Sequence, residues 1–276
     1  MIRIVTDSSC DLPPALVDQY GLEVVPLTIR FGSDEYVDGR DLGPGDFWRK
    51  LRSSDQLPET AAPSAGSFLQ AFQNLFEGGA TGVVALTLSG QLSGTYQSAV
   101  IAAEQLGYPI KVLDSRTVSM GLGLPVLAAA RAASAGGDLA AVVAAAVDAA
   151  DGTHVLAALQ TLEFLKRGGR IGGAQALVGS LLDIKPLIAV EDGVVNAAGR
   201  VRTRSKAKHA LNAHVRDRAD RIVEVAVLHG DAADVEPFVE SIAGVLPGRT
   251  PIVSQLGPVV GTHSGPGTLG VAYRLA

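Results

Sequence analysis

The chain has 276 residues, 47% apolar and 18% charged, and its 23 Lys+Arg against 28 Asp+Glu leave a formal net charge of −5. That balance excludes a disordered chain and a protein drawn to nucleic acid by a global positive field, and the length fits one large domain or two ordinary ones. A single cysteine, Cys10, excludes an internal disulfide framework and any multi-cysteine metal centre, and it suits a reducing, cytoplasmic setting.

The chain opens on a β-branched run, Ile2–Thr6, that reads as a first strand rather than a secretory leader. Pro13–Tyr20 follows as a helix and Leu22–Ile29 as a second strand. Ser64–Phe76 reads as a helix whose Phe68, Leu69, Phe72 and Phe76 share a face. Gly82–Leu88 is a strand, Ser93–Leu106 a helix and Ile110–Leu113 a strand. This rhythm predicts a parallel sheet with ligand groups at the carboxyl ends of its strands, where the hydroxyl-rich loops Thr6–Ser9 and Thr87–Ser93 fall.

The alanine-rich stretch Gly121–Ala150 reads as two helices separated by Gly136-Gly137-Asp138, a C-cap followed by an N-cap. Asp151-Gly152 marks a turn, and a domain boundary is expected there, giving domains 1–152 and 153–276. Val155–Leu159, Pro186–Val190, Gly193–Val195, Val223–Leu228 and Pro251–Gln255 supply the strands of the second half. Glu191-Asp192-Gly193 has the chemistry of a hairpin turn, so a mixed or antiparallel sheet is expected there. The uncharged stretches carry Ser, Thr, Gln, Gly or Pro where a membrane span needs ~20 mostly apolar residues, so no stable membrane insertion is expected.

The common catalytic signatures are absent. Gly265-x-Gly267-x-x-Gly270 matches the dinucleotide fingerprint in letters only, because it opens no long helix and lacks the acidic residue about 20 positions on. Its glycines read as turns near a ligand or another backbone. There is no Walker A loop and no His-Glu-x-x-His, and Gln91 and Thr95 flank Ser93 where a nucleophile elbow needs glycines. Neither a cofactor nor a metal is expected.

Hydroxyl residues at helix starts remain. Ser64 is well placed as an N-cap, but Thr60 precedes the cap and is not explained by capping. The run Ser89 to Ser98 joins a strand to a helix, which leaves two readings of Ser93 open, a cap or part of an anion site at the helix N-terminus. Of five histidines, His154 is uninformative, and His209, His214 and His229 read as surface or core residues. His263 stands in Gly261-Thr262-His263-Ser264-Gly265-Pro266-Gly267, too glycine-rich for an ordinary core position, which points to function. Two basic clusters, Lys166-Arg167-Gly168-Gly169-Arg170 and Arg200 to Lys208, read as a capped helix end and a solvated face, or as docking sites for an acidic partner.

Taken in order, the strings Thr6-Asp7-Ser8-Ser9-Cys10-Asp11-Leu12-Pro13, Thr60 to Ser64, Leu92 to Ala99, Ser119-Met120-Gly121-Leu122-Gly123, Leu165 to Ile171, Arg202-Thr203 and Gly265 to Gly270 resemble the DegV family of fatty-acid-binding proteins nearly end to end. The resemblance implies two α/β domains, the first with a parallel sheet, and a long-chain fatty acid buried between them. It implies a carboxylate held at Thr60, Ser93 and His263 and presented to a separate fatty acid kinase catalytic protein that converts it to an acyl phosphate, with Arg170 and Arg202 on the partner-docking face and only transient membrane contact. Ala61-Ala62 depart from the family's more polar pair. The competing reading is a serine-dependent acyl hydrolase or transferase with Ser93 as nucleophile, His263 as base, and Asp7 or Asp114 orienting the base.

Overall fold

A computed structural model of the chain describes residues 1–178 and 184–276. The first half begins with β1 (Ile2–Asp7), a 3-10 turn at Ser8–Cys10, α1 (Pro14–Tyr20), β2 (Glu23–Val25), β3 (Thr28–Phe31), β4 (Asp34–Val37), α2 (Pro44–Ser53) and β5 (Glu59–Ala61). It continues through α3 (Ala65–Glu77), β6 (Gly82–Thr87), α4 (Thr95–Leu106), β7 (Ile110–Asp114), α5 (Met120–Ser134) and α6 (Leu139–Asp151). The second half runs through β8 (Thr153–Ala158), α7 (Glu163–Arg167), β9 (Lys185–Glu191), β10 (Val194–Val201) and α8 (Arg204–Arg216). It closes with β11 (Ile222–His229), α9 (Val235–Val245), β12 (Ile252–Gln255), α10 (Pro258–Ser264) and β13 (Leu269–Leu275).

The expected α/β class holds. A parallel sheet in the order β2-β1-β6-β7 forms the N-terminal layer, and β6 is buried along its whole length, as a central parallel strand must be. The C-terminal sheet, β10-β9-β8-β13-β11-β12, is mixed: only β11 and β12 run parallel. The hairpin turn between β9 and β10 has Asp192 at φ 52 and Gly193 at φ 83, the left-handed pair that a two-residue I′ turn demands.

The caps behave as read. Ser64 accepts from Ser67 N at 3.1 Å to open α3, and Asp138 accepts from Ala141 N at 2.8 Å to open α6. One expected element is corrected: Leu22–Ile29 is two strands in different sheets. Pro26 has no N–H to continue a ladder, so β2 ends at Val25 and the chain restarts as β3 in a small antiparallel sheet, β4-β3-β5.

Helix α5 lies between the two large sheets, packing on β1 and β6 from one and on β8, β11 and β13 from the other. Its residues Met120 to Leu127 are all buried, which explains why it is apolar all round rather than along one stripe. No helix among the described residues is long and apolar enough to cross a membrane.

Candidate functional site

Thr60 is the central residue of β5, paired with the buried Ile29 of β3. Strand alternation turns Glu59 and Ala61 to solvent and Thr60 inward. There its Oγ1 lies 3.0 Å from Nε2 of His263, in the last turn of α10. The two residues are 203 positions apart, so this pair exists only through tertiary packing.

Glycines seat the imidazole. At Gly261 an added Cβ would lie 2.9 Å from the Trp48 indole, so α10 settles directly on that ring. At Gly168 a Cβ would lie 2.7 Å from His263 Cε1 and closer still to Nδ1. Nδ1 itself is buried without a hydrogen-bond partner. Burial pulls the His263 pKa down to about 4, and the positive charge of Arg170 acts in the same direction, so the ring is neutral at pH 7.

Ser93 follows β6 in a loop whose tip is fixed where Ser89 Oγ donates to the Gly193 carbonyl at 2.7 Å. Gly94 is the N-cap of α4, but Ser93 Oγ accepts from Thr95 N at 3.4 Å, so the serine does tie the helix start. Its hydroxyl also meets Thr95 Oγ1 at 2.9 Å. Arg170 follows Gly169, whose φ of 69 turns the chain back after α7. Its Nε donates to the Leu92 carbonyl at 3.1 Å and Nη1 to the Gly168 carbonyl at 2.8 Å.

Thr60, Ser93, Arg170 and His263 all border one cavity of about 160 Å³. Its remaining wall is mainly apolar and comes from both halves of the chain: Leu27 and Leu88 from the first, Val155, Val190 and Val259 from the second. Thr60, Arg170 and His263 also border an outer cleft that includes Arg167 and Thr262. The polar residues therefore stand where an apolar interior meets the surface, the arrangement that suits a molecule with a long apolar body and one polar end.

The structure does not assemble the hydrolase constellation. His263 Nε2 is engaged by Thr60 and Ser93 by Thr95, and no hydrogen bond joins Ser93 to His263 among the described residues. Asp7 accepts from Ser9 and from the Leu88 N–H, and Asp114 from the Gly90 and Arg116 N–H groups, so neither orients the imidazole. Of the two hydroxyl loops, Thr87–Ser93 reaches the cavity through Leu88, Leu92 and Ser93. The Thr6–Ser9 loop is used internally, with Ser8 Oγ accepting from Leu27 N at 3.0 Å.

Arg170, expected only on a partner face, also borders the cavity. Arg202 is exposed and makes no ion pair among the described residues. The second basic run is not one continuous face: Arg204 and Lys208 fold onto Asp234 at 2.8 and 2.9 Å, and these bonds hold the Asp234 carboxyl well below the usual range. The glycine fingerprint resolves into turns, with Gly265 and Gly267 at φ 76 and 75 against Phe164 and Gln160, and Gly270 against Ala157 of β8. Sequence reasoning missed the walls Val118 and Val259, whose side chains carry no chemical signal of their own, and it gave Ser119 no role beyond its place in a motif string.

Comparison with known proteins bears on this geometry. The family model described as "Uncharacterised protein, DegV family" matches residues 1–275. A DegV domain-containing protein of Streptomyces coelicolor is 38% identical over 273 residues, covering 98% of this chain and 97% of the relative. A structure described as fatty acid binding of a DegV family protein from Thermus thermophilus superposes with a TM-score of 0.91 at 37% identity, covering 100% of this chain and 99% of that one. DegV of Bacillus subtilis, described as a fatty acid binding protein, superposes with a TM-score of 0.90 at 26% identity, over 100% and 99% of the two chains. A stearic acid-binding protein from Eubacterium ventriosum gives 0.91 at 26% identity, over 99% and 98%.

Proposed function

We propose that this chain, which belongs to the DegV family, holds a long-chain fatty acid in the cavity between its two sheets and presents the carboxylate to a separate kinase protein for phosphorylation to an acyl phosphate. The halves that enclose the ligand are taken to meet near residue 152. The observation that carries the reading is the meeting of an apolar cavity with the Thr60–His263 pair and Ser93 at its polar edge. Each buried methylene contributes roughly 0.8 kcal/mol before the costs of association, so a dozen bring on the order of 10 kcal/mol gross. The tail supplies affinity, and the hydroxyls and imidazole supply hydrogen bonds that a buried carboxylate requires.

Presentation to a kinase is supported by the outer cleft. Thr60, Arg170 and His263 border both spaces, so a carboxylate held there is open to a phosphoryl donor from outside. The chain has no phosphate-binding loop of its own, and a separate protein would supply that machinery. Arg202 and the outer side of Arg170 would face that partner. Mass spectrometry of a denaturing extract tests the first step, and near-stoichiometric fatty acid is expected. Failure to find lipid, together with no heat on titration with hexadecanoate, would overturn it. For the second step, incubation with a fatty acid kinase catalytic protein and ATP should yield acyl phosphate, trapped as the hydroxamate.

A further inference from the structure

Asp11 does not border the cavity, yet three of its oxygens reach across the chain to segments that do. Its Oδ1 accepts from Gly257 N at 2.8 Å, its Oδ2 lies 2.5 Å from Ser119 Oγ, and its carbonyl accepts from Ser254 Oγ at 2.5 Å. The partners are 246, 108 and 243 positions away. Asp11 takes a left-handed backbone, φ 50 and ψ 29, uncommon away from glycine, and it is buried.

The tethered points are the two ends of one wall. Ser119 opens α5 and borders the cavity, and Gly257 opens α10, which carries Val259, Val260 and His263. Across from Asp11, Trp48 Nε1 donates to the Leu256 carbonyl at 3.2 Å, and Gly261 rests against the same indole. The start of α10 is thus pinned from both sides.

We propose that Asp11 is a positioning residue for the fatty-acid site: by bridging Gly257 and Ser119 it sets the placement of α10 and so brings His263 Nε2 to Thr60. The inference rests on the fatty-acid reading for its ligand, but the latch has a readout independent of any ligand.

The chemistry of the bridge depends on one proton. Burial, reinforced by the neighbouring carboxylates of Asp38 and Asp7, pushes the Asp11 pKa up to about 8. The titratable groups facing it are Asp7, Cys10 and Asp38, and the segments that bring Ser119, Ser254 and Gly257 add no charge to the contact. When protonated, the carboxyl donates to Ser119 Oγ, whose hydroxyl then turns to accept, and keeps its other oxygen for Gly257. Ionisation leaves a buried negative charge beside two other acids, which the bonds donated by Ser119 and Gly257 partly offset, so the bridge changes its charge and its hydrogen-bond balance as pH rises through about 8. Asparagine reproduces the protonated form, with an amide N–H for Ser119 and a carbonyl for Gly257.

Trp48, the single tryptophan of the chain, sits on the latched segment and reports its state. Its emission in the parent should titrate between pH 6 and 9.5 with a component near 8, and in Asp11→Asn that component should be lost, leaving only a change near 7 from Asp38. Hexadecanoate affinity should fall roughly tenfold or more in Asp11→Ala and stay within about threefold of the parent in Asp11→Asn at pH 7. A flat parent titration, or an Asp11→Asn protein that binds as weakly as Asp11→Ala, overturns the latch. If Asp11→Ala fails to fold, the Asp11→Asn titration and affinity decide alone. A parent that binds no hexadecanoate while Trp48 still titrates near 8 overturns the ligand reading and leaves the latch standing.

Discussion

Gly168→Ala tests the head-group geometry most directly. The residue has φ −73, which alanine adopts without strain, so the backbone is not disturbed and a Gly-to-Ala change there reduces unfolded-chain entropy. The new Cβ, however, would lie 2.7 Å from His263 Cε1. Ordinary contact begins near about 3.5 Å, so the ring must retreat by roughly 1 Å. It cannot carry its helix with it, because Gly261 of α10 already rests on Trp48. The Thr60–His263 distance, 3.0 Å in the parent, would then exceed hydrogen-bond range. Losing a partner at a buried polar site costs about 1–3 kcal/mol, or roughly 5–150-fold in affinity. Calorimetric titration with hexadecanoate measures this loss. Gly244→Ala is the control: it lies in α9, which lines no part of the cavity, and nothing lies within 4 Å of its Cβ, so affinity should hold. A folded Gly168→Ala protein that binds as tightly as the parent would refute the reasoning.

Thr60→Val and Ser93→Ala should each cost about 1–3 kcal/mol of fatty-acid affinity, and the double variant less than their sum, because both act on one carboxylate; calorimetry on the three proteins checks it. Folding stability should fall as pH rises from 7 to 9. Burial raises Asp38 to about 7 and Asp11 to about 8, so at pH 7 the folded chain still holds protons that the unfolded chain has released, and this stabilisation is lost as pH climbs through these values, whereas Asp7, raised to about 6, has lost its share below pH 7. His263, lowered to about 4, acts oppositely but only between there and its ordinary value near 6.5, so urea midpoints at pH 7 and 9 exclude it; the buried Cys10 thiol, pushed up by burial, and Asp38 act in the same direction as Asp11, and Asp11→Asn should reduce the difference. Arg202→Ala should leave hexadecanoate affinity unchanged and weaken kinase association, whereas Arg170→Ala should weaken both, since its guanidinium ties Leu92 and Gly168 at the cavity edge; paired affinity measurements separate the two arginines.

Much of this was legible in the residue order, for identifiable reasons. Local chemistry marked the caps Ser64 and Asp138 and the Asp192-Gly193 turn, because each acts on neighbours within three positions. Thr60 was flagged by elimination, as a hydroxyl that capping does not explain, and His263 by a glycine-rich setting that proved to be close packing against Trp48 and Gly168. Where the reading failed, a local rule met a tertiary one. A β-branched count joined Leu22 to Ile29 across a proline that separates two sheets. Arg170 read as the tail of a capped helix because its return to the cavity depends on one left-handed glycine. Asp11 stood in a motif string but its role was not legible, since its partners lie more than a hundred positions away.

The packing around His263 explains why the imidazole at the polar edge is neutral beside Arg170. A buried imidazolium facing Arg170 would be a desolvated cation beside another, and burial resolves this by leaving the ring neutral. A carboxylate bound between Thr60 and Ser93, as proposed, would bring a negative charge that favours the protonated imidazole and gives Arg170 an opposite charge nearby. The hydroxyls can donate to that anion whatever the state of the ring. On that reading binding and neutralisation would be one event at this edge, while the apolar wall from Leu27 to Val190 is indifferent to charge and would respond only to the length and shape of the tail.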